Sequence, residues 1–528
     1  MTYSWRTTLL PCTIVLLALT LLAQQQESEQ RPANPEASKS EKAGVTEKSG
    51  KLPTESEKTE KETPPVVTQH QIHVGGRVLS YTATVGTLPI RGGDNDEVEG
   101  NIFFIAYTLD NPAPKRPLTF SYNGGPGSSS VWLHLGAIGP KRVKMNPDGS
   151  MPQPPFELID NQQTWLDQTD LVFIDPVGTG YSRAAKKDLG KKFWGIKEDL
   201  VSVGEFIRLY LTRYQRWTSP LFIVGESYGT TRAAGLGGYL IDRGIALDGI
   251  MLVSTVLNFE TLEFTRGNDL PYILFLPSYT STAWYHKKLP PGLQQRDLQS
   301  VLRDSEQFAA GPYTSALDKG DRLTPQERQD VIAQIARFTG VSTQVVDENN
   351  LRLTQPVFCR ELLRDQKLVA GRLDSRFTGA VLPPMRGQGF SYDPSEAVIR
   401  PPFTATFNNY VRTELGYKTD LEYYILGGGI GEWNWGSARE GFPDTSELLH
   451  TAFVKNPYMK LFVASGYYDL ATPYFATQYT LNHMNLDAQQ HIRISLGYYE
   501  AGHMVYIRSE SLDHLKQDVS GFISNALR

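Results

Sequence analysis

The residues Gly225-Glu226-Ser227-Tyr228-Gly229 form a G-x-S-x-G pattern where the apolar run Leu221–Gly225 (LFIVG) gives way to a helix-forming segment. In that setting the serine sits on a sharp strand-to-helix turn, flanked by glycines because larger side chains would collide there. In a chain with 46 glycines the pattern alone is weak. The strand before it and the helix after it make Ser227 the expected nucleophile. A serine hydroxyl attacks poorly unless a base removes its proton and a third group orients that base. In chains built around such an elbow the acid and the histidine follow the serine in sequence. Asp469 stands just past the apolar run Lys460–Ala464 (KLFVA), in Ser465-Gly466-Tyr467-Tyr468-Asp469. After it come His483, His491, His503 and His514. His483 and His514 fall in expected helices, and His491 opens an expected strand. His503, in Gly502-His503-Met504-Val505, occupies a glycine-flanked loop. Ser227, Asp469 and His503 are therefore the expected catalytic triad.

A second glycine-rich stretch, Asn123-Gly124-Gly125-Pro126-Gly127-Ser128-Ser129-Ser130, follows the apolar run Leu118–Tyr122. A loop at this place can turn a backbone N–H toward a developing oxyanion, partnered by the N–H of the residue after the nucleophile, here Tyr228. A phosphate-binding loop would end in Gly-Lys-Ser/Thr, which is missing. His70 and His73 lie in a strand-like stretch without other candidate ligands, so no metal is expected, and no cofactor.

These residues need a scaffold. Gln71–Ala83 and Asn101–Thr108 alternate in a strand-like way, are separated by Gly, Asn and Asp clusters, and read as antiparallel hairpins entering a sheet. Leu118–Tyr122, Leu171–Asp175, Leu221–Gly225, Gly249–Ser254 and Lys460–Ala464 are short apolar runs bounded by turn residues, as buried parallel strands are. Helical spacing marks Ile196–Trp217, Thr231–Arg243 and Ser509–Leu527. Strands alternating with helices predict an α/β class: an α/β-hydrolase fold, with a mixed, mostly parallel sheet flanked by helices. Asn258–Leu449 breaks the rhythm with aromatic-rich loops, a helix expected at Thr324–Phe338, and glycine- and tryptophan-rich turns. It reads as a cap inserted between two sheet strands. The expected organisation is a signal peptide over residues 1–23, a disordered linker over 24–65, core over 66–257, cap over 258–449 and core again over 450–528.

Composition bounds the function. A formal net charge of −5 over 528 residues argues against a nucleic-acid partner. Arg6, the apolar run Leu9–Ala23 and the glutamines after it look like an export signal, too short to span a bilayer comfortably. Removing it would take Cys12 and leave Cys359 alone, so no internal disulfide could form. That favours a bacterial envelope, periplasmic or extracellular, over a eukaryotic secretory route. Stable membrane insertion is not expected after that removal, and the oligomeric state is left open. Residues 24–65 carry Glu, Lys, Ser and Pro but no aromatic residue, and cannot bury enough surface to offset their ordering entropy.

The motifs NGGPGSSS, GESYG, SGYYD and AGHMV together resemble the serine carboxypeptidases, the family of carboxypeptidase Y, from about Val66 to the C-terminus. The resemblance implies removal of single residues from peptide C-termini through an acyl-enzyme, with peptides as substrates. It implies oxyanion N–H groups from Gly125 and Tyr228, and binding of the substrate's terminal carboxylate by Asn123, Gly124 and Glu226. A buried Glu facing a carboxylate cannot comfortably stay ionised, so a protonated Glu226 would donate a hydrogen bond and favour acid pH. The chain departs from the family pattern in having Ser128 where a cysteine is common, Tyr122 where Trp is usual and Tyr506 where a proline often follows. Trp132, Trp165, Tyr181, Trp284 and Met504 are candidates for a side-chain pocket or for plain core packing. An esterase or acyltransferase on the same scaffold and an inactive exported binding protein are the alternatives.

Overall fold

The computed structural model describes residues 62–92, 96–112, 115–381, 392–437, 439 and 441–528. The expected signal peptide, and the expected linker up to residue 61, lie outside the described residues. At the linker's end Glu62 is held by Arg213, 2.5 Å from Nη1 to Oε2, so this stretch read as disordered has at least one fixed contact.

The sheet is built from β1 (Val66–Val74), β2 (Arg77–Gly92), β3 (Glu97–Leu109), β4 (Leu118–Tyr122), β5 (Asp170–Asp175), β6 (Leu221–Ser227), β7 (Gly249–Thr255), β8 (Lys460–Gly466) and β9 (Ile494–Tyr499). Their order is β1-β2-β3-β5-β4-β6-β7-β8-β9, with the short strand Arg183–Ala184 paired to β3. The first three strands and the β3–β5 pair are antiparallel, and every pair from β5 to β9 is parallel. This is the α/β-hydrolase fold, a mixed and mostly parallel sheet flanked by helices. The stretch Gln71–Ala83 is an antiparallel hairpin, as expected: Gly75 and Gly76, both at positive φ, turn the chain from β1 into β2.

Strands buried on both faces must be apolar on both, and alternate residues point opposite ways. In β6, Leu221 and Ile223 enter one core with α1 (Ile196–Arg213) and α2 (Tyr228–Ile241), while Phe222 and Val224 enter the other. The apolar positions Leu200, Val203, Ile207 and Leu211 make the buried stripe of α1, and Glu198 and Asp199 in its first turn suit the positive helix end. That helix stops at Arg213, short of Trp217, because Gln215 takes a left-handed φ of 55°. His491 lies in the helical turn Ala488–His491 and does not open a strand; β9 begins at Ile494.

The long interval between β7 and β8 divides among three cores. The helices α3 (Leu270–Tyr285), α4 (Leu298–Phe308) and α5 (Pro325–Thr339) pack on one another through Phe275, Tyr279, Val301, Ile332 and Phe338. α6 (Pro394–Thr413) instead seats Ile399, Phe403, Phe407 and Tyr410 on the sheet, in the same core as α9 (Ser509–Ala526). α7 (Ser446–Lys455) covers the opposite face, and α8 (Tyr474–Asn482) follows β8. Phe407 is fully buried with its ring centroid 3.9 Å from that of Tyr423. Phe407→Ala should cost about 3–5 kcal/mol in urea unfolding. A loss under about 1 kcal/mol would mean that α6 is not integral to the sheet's core.

Candidate active site

The parallel register of β4 and β6 aligns Tyr122 with Gly225. The next residue on each strand, Asn123 and Glu226, therefore leaves the sheet edge beside the other. Asn123 Nδ2 donates to Glu226 Oε1 at 3.0 Å, and Asn123 Oδ1 accepts from the Leu133 N–H at 3.1 Å. Ser227 follows with φ 61° and ψ −132°, a strained conformation for a residue with a side chain. The turn is closed by contact. A Cβ on Gly225 would lie 2.0 Å from the Gly229 carbonyl oxygen, and one on Gly124 would lie 2.4 Å from the Tyr228 nitrogen. The glycine loop and the elbow thus touch backbone to backbone. Tyr228 opens α2, so its N–H has no acceptor within the helix.

β8 and β9 deliver the other two groups. His503 Nδ1 and Asp469 Oδ2 are hydrogen-bonded at 2.8 Å. Asp469 Oδ1 accepts the backbone N–H groups of Ala471 (2.7 Å) and Thr472 (3.0 Å), and the Thr472 hydroxyl donates to Oδ2 at 2.7 Å. With these partners the fully buried Asp469 is held in one orientation. A register shift in β7 between Val253 and Thr255 lets the Ser254 hydroxyl donate to the His503 carbonyl at 2.5 Å.

Asn123, Gly124, Gly125, Glu226, Ser227 and His503 line one cavity of about 270 Å³. Tyr228 does not line it; its ring packs edge-on against Trp433 and Trp435. Of the candidate pocket residues, Trp132 and Met504 are on the cavity wall. Trp165 and Tyr181 are buried in the sheet core, and Trp284 packs in the helical unit.

Burial pushes the Glu226 carboxyl up to about 7; His503 pulls it down, as do Tyr506 and Asn123, while Asp469 pushes the same way as burial. Burial would lower the His503 imidazole, but the charge and hydrogen bond of Asp469, with the charge of Glu226, outweigh it and hold it above its usual value. Oε2 of Glu226 has no hydrogen-bond partner among the described residues. The Tyr506 hydroxyl is the neutral group facing it, and it too lacks a partner at hydrogen-bond geometry.

Three supports had not been found from sequence. Arg232, 1% exposed, donates from Nε to Asp199 Oδ2 at 2.7 Å and from Nη1 to the Asn123 carbonyl at 2.7 Å. Its guanidinium also lies over the rings of Tyr122 and Tyr228, tying the glycine loop to the elbow. An arginine in the otherwise apolar run Arg232–Leu240 was the available signal. The second support is a strap, residues 372–376. The His503 N–H donates to the Leu373 carbonyl at 2.6 Å, the Gly502 N–H to Asp374 Oδ2 at 3.2 Å, and the Leu470 N–H to the Arg372 carbonyl at 3.1 Å. The third is Thr472. The strap and Thr472 lie in stretches whose composition is that of ordinary loops.

Compared with known proteins, residues 93–247 match the family model described as serine carboxypeptidase. The chain is 25% identical over 272 residues to serine carboxypeptidase S10 family member 1 of Dictyostelium discoideum, covering 50% of this chain and 58% of that protein. It is 37% identical over 158 residues to the pheromone-processing carboxypeptidase KEX1 of Saccharomyces cerevisiae, covering 27% of this chain and 20% of that protein. Among solved structures, a prohormone-processing carboxypeptidase from Saccharomyces cerevisiae aligns with 84% of this chain and 91% of its own, at 16% identity and a TM-score of 0.49. The matched stretches thus span less than two thirds of these curated relatives. The segment that matches the family model, residues 93–247, holds both the glycine loop and the Ser227 elbow.

Proposed function

We propose that the protein is a serine carboxypeptidase that releases the C-terminal residue of peptides. The observation that carries this reading is the Asn123–Glu226 pair beside Ser227. An acyl-transfer site needs a nucleophile, a base and an oxyanion hole, but only a free-carboxylate substrate obviously needs a buried, protonatable Glu with an unpartnered oxygen. Below about pH 7 Glu226 carries its proton, and from Oε2 it would donate to the substrate carboxylate. Asn123 Nδ2 has a second hydrogen to offer, and the Gly124 backbone assists.

The steps follow from the roles. His503 Nε2 takes the Ser227 proton as Oγ bonds to the scissile carbonyl carbon, and Asp469 steadies the imidazolium. The N–H groups of Gly125 and Tyr228 hold the resulting oxyanion. When the tetrahedral adduct collapses, the C–N bond breaks and His503 gives its proton to the departing amine, leaving an acyl ester on Ser227. Water then attacks the ester, His503 accepts its proton and returns it to Ser227 Oγ, and the shortened peptide leaves. We further propose that the chain is exported, periplasmic or extracellular and of bacterial type, on the strength of its N-terminal apolar run and of Cys359, a buried free thiol. Among the described residues no helix is long and apolar enough to cross a membrane.

Release of the last residue from an N-blocked dipeptide tests the reading directly. Ser227→Ala should lower it by about 10⁴-fold or more. An unchanged rate would exclude Ser227 as nucleophile, and cleavage of esters without any peptide release would move the protein to an esterase.

Glu226 sets the alkaline limb. For free-carboxylate peptides kcat/KM should fall about tenfold for each pH unit above roughly 7 as Glu226 ionises, whereas esters and amidated peptides should not show this fall. Glu226→Gln should abolish the alkaline limb. Stability gives an independent readout. A carboxyl held at about 7 against its ordinary value of 4.5 costs the native state stability as pH rises through that window, by about 3 kcal/mol. The Gln variant should therefore gain melting temperature relative to wild type at pH 8 but not at pH 4. Coincident pH profiles for peptide and ester would remove Glu226 from carboxylate binding.

A further inference from the structure

The cavity wall holds more charge than the proposed mechanism uses: besides Glu226 and His503 it includes Arg372, Asp393 and Glu396. Both acids are already engaged. The oxygens of Asp393 accept the N–H groups of Arg372, Leu373 and Ser395 and the Ser395 hydroxyl, at 2.5–3.3 Å. Glu396 pairs with Arg400 at 2.6 Å. The guanidinium of Arg372 has no such engagement. It is exposed and makes neither an ion pair nor a side-chain hydrogen bond among the described residues, yet it lies close enough to His503 to oppose that ring's protonation. Its backbone, by contrast, is fixed, because the strap holds its carbonyl to Leu470 and the next carbonyl to His503. The result is one unspent cation on a rigid mount beside the reacting bond.

Resting on the carboxypeptidase reading, we propose that Arg372 receives the side-chain carboxylate of the departing residue, so that the protein favours peptides ending in Glu or Asp. The geometry of such a substrate leads there. Asn123 and Glu226 would hold its terminal carboxylate, and Ser227 its scissile carbonyl. The last side chain must then lie against the remaining wall of the same cavity, where Trp132, Leu373, Ile399, Leu426 and Met504 are apolar, Ser128 and the engaged acids Asp393 and Glu396 are polar, and Arg372 supplies the cation. A two-carbon stem can pack on that apolar wall while its carboxylate reaches a guanidinium, a pairing strengthened by charge and by fork geometry. Because Arg372 is exposed, solvent screening keeps the preference modest.

The test compares N-blocked dipeptides that share a penultimate residue and end in Glu, Gln or Lys. The pH is about 5.5, where the substrate's Glu side chain is ionised and Glu226 is protonated. Wild type should show a kcat/KM ratio of Glu to Gln of about 2 to 5, shrinking at high salt. Arg372→Met should bring that ratio to about 1, and Arg372→Glu should favour the Lys substrate. A wild-type ratio near 1, with the Gln substrate still cleaved, would overturn this assignment while leaving the carboxypeptidase reading intact. An equal loss on all three substrates in Arg372→Met would overturn it too, by moving Arg372 to the terminal carboxylate. Release from none of the three in wild type would remove the reading itself.

Discussion

Two backbone segments lie in van der Waals contact at the heart of this site, and the remaining geometry depends on that contact. The loop after β4 meets the elbow after β6 so closely that a Cβ on Gly124 would lie 2.4 Å from the Tyr228 nitrogen, and one on Gly229 would lie 3.0 Å from the Tyr122 carbonyl oxygen. Contact at this range requires strand pairing in a single register, since a one-residue slip of β4 against β6 would reverse every side chain on the strand. The register that aligns Tyr122 with Gly225 is held by strands buried on both faces, apolar up to Gly225 but for Thr119 and Ser121 on one face of β4. Packing of the sheet, not any hydrogen bond at the site, therefore brings Asn123 beside Glu226 and the glycine loop beside the first N–H of α2.

That proximity has an electrostatic consequence. Glu226 and His503 share a buried space with Asp469, and each shifts the other: an ionised Glu226 raises His503, and a protonated His503 lowers Glu226. With one proton between them, the state with Glu226 protonated and His503 neutral carries the same net charge as the reversed one. Only the first can both take a proton from Ser227 and donate to a carboxylate. The balance between the two arrangements is thus a property of the pair and does not change with pH while the pair holds one proton. If Glu226 receives a substrate carboxylate as proposed, that second anion would disfavour ionised Glu226 and favour the productive arrangement, coupling substrate binding to base activation through one proton.

Much of this was legible in the sequence, for reasons that can be named. Buried parallel strands are apolar on both faces, so β4, β5, β6, β7 and β8 stood out as short apolar runs, and their alternation with helices gave the fold class. The elbow was readable because its glycines are dictated by contact. The chain order of acid and histidine nominated Asp469 and His503, which the structure brings to 2.8 Å. What was not legible lacks a periodic or compositional signature. The left-handed Gln215 that ends α1 and the seating of α6 on the sheet are set by long-range packing. Thr472 and the strap at residues 372–376 act through single hydrogen bonds from ordinary loop residues.

The Arg232–Asp199 pair shows why such supports matter more than their energies suggest. Both groups are buried almost completely, and taking two charges out of water costs several kcal/mol per ion before their attraction repays it. An apolar pair of similar volume would serve the core at least as well. Arg232, however, also donates to the Asn123 carbonyl and lies over Tyr122 and Tyr228, so it touches the last residue of β4, the residue that meets Glu226 and the first residue of α2. Methionine or leucine could fill that space but could not fix the direction of a carbonyl. With the Asn123 carbonyl fixed, the following peptide plane is fixed as well, and the N–H groups of the glycine loop take their orientation from it. An oxyanion hole made of backbone groups has no side chains of its own to tune, so its precision has to come from buried contacts of this kind behind it.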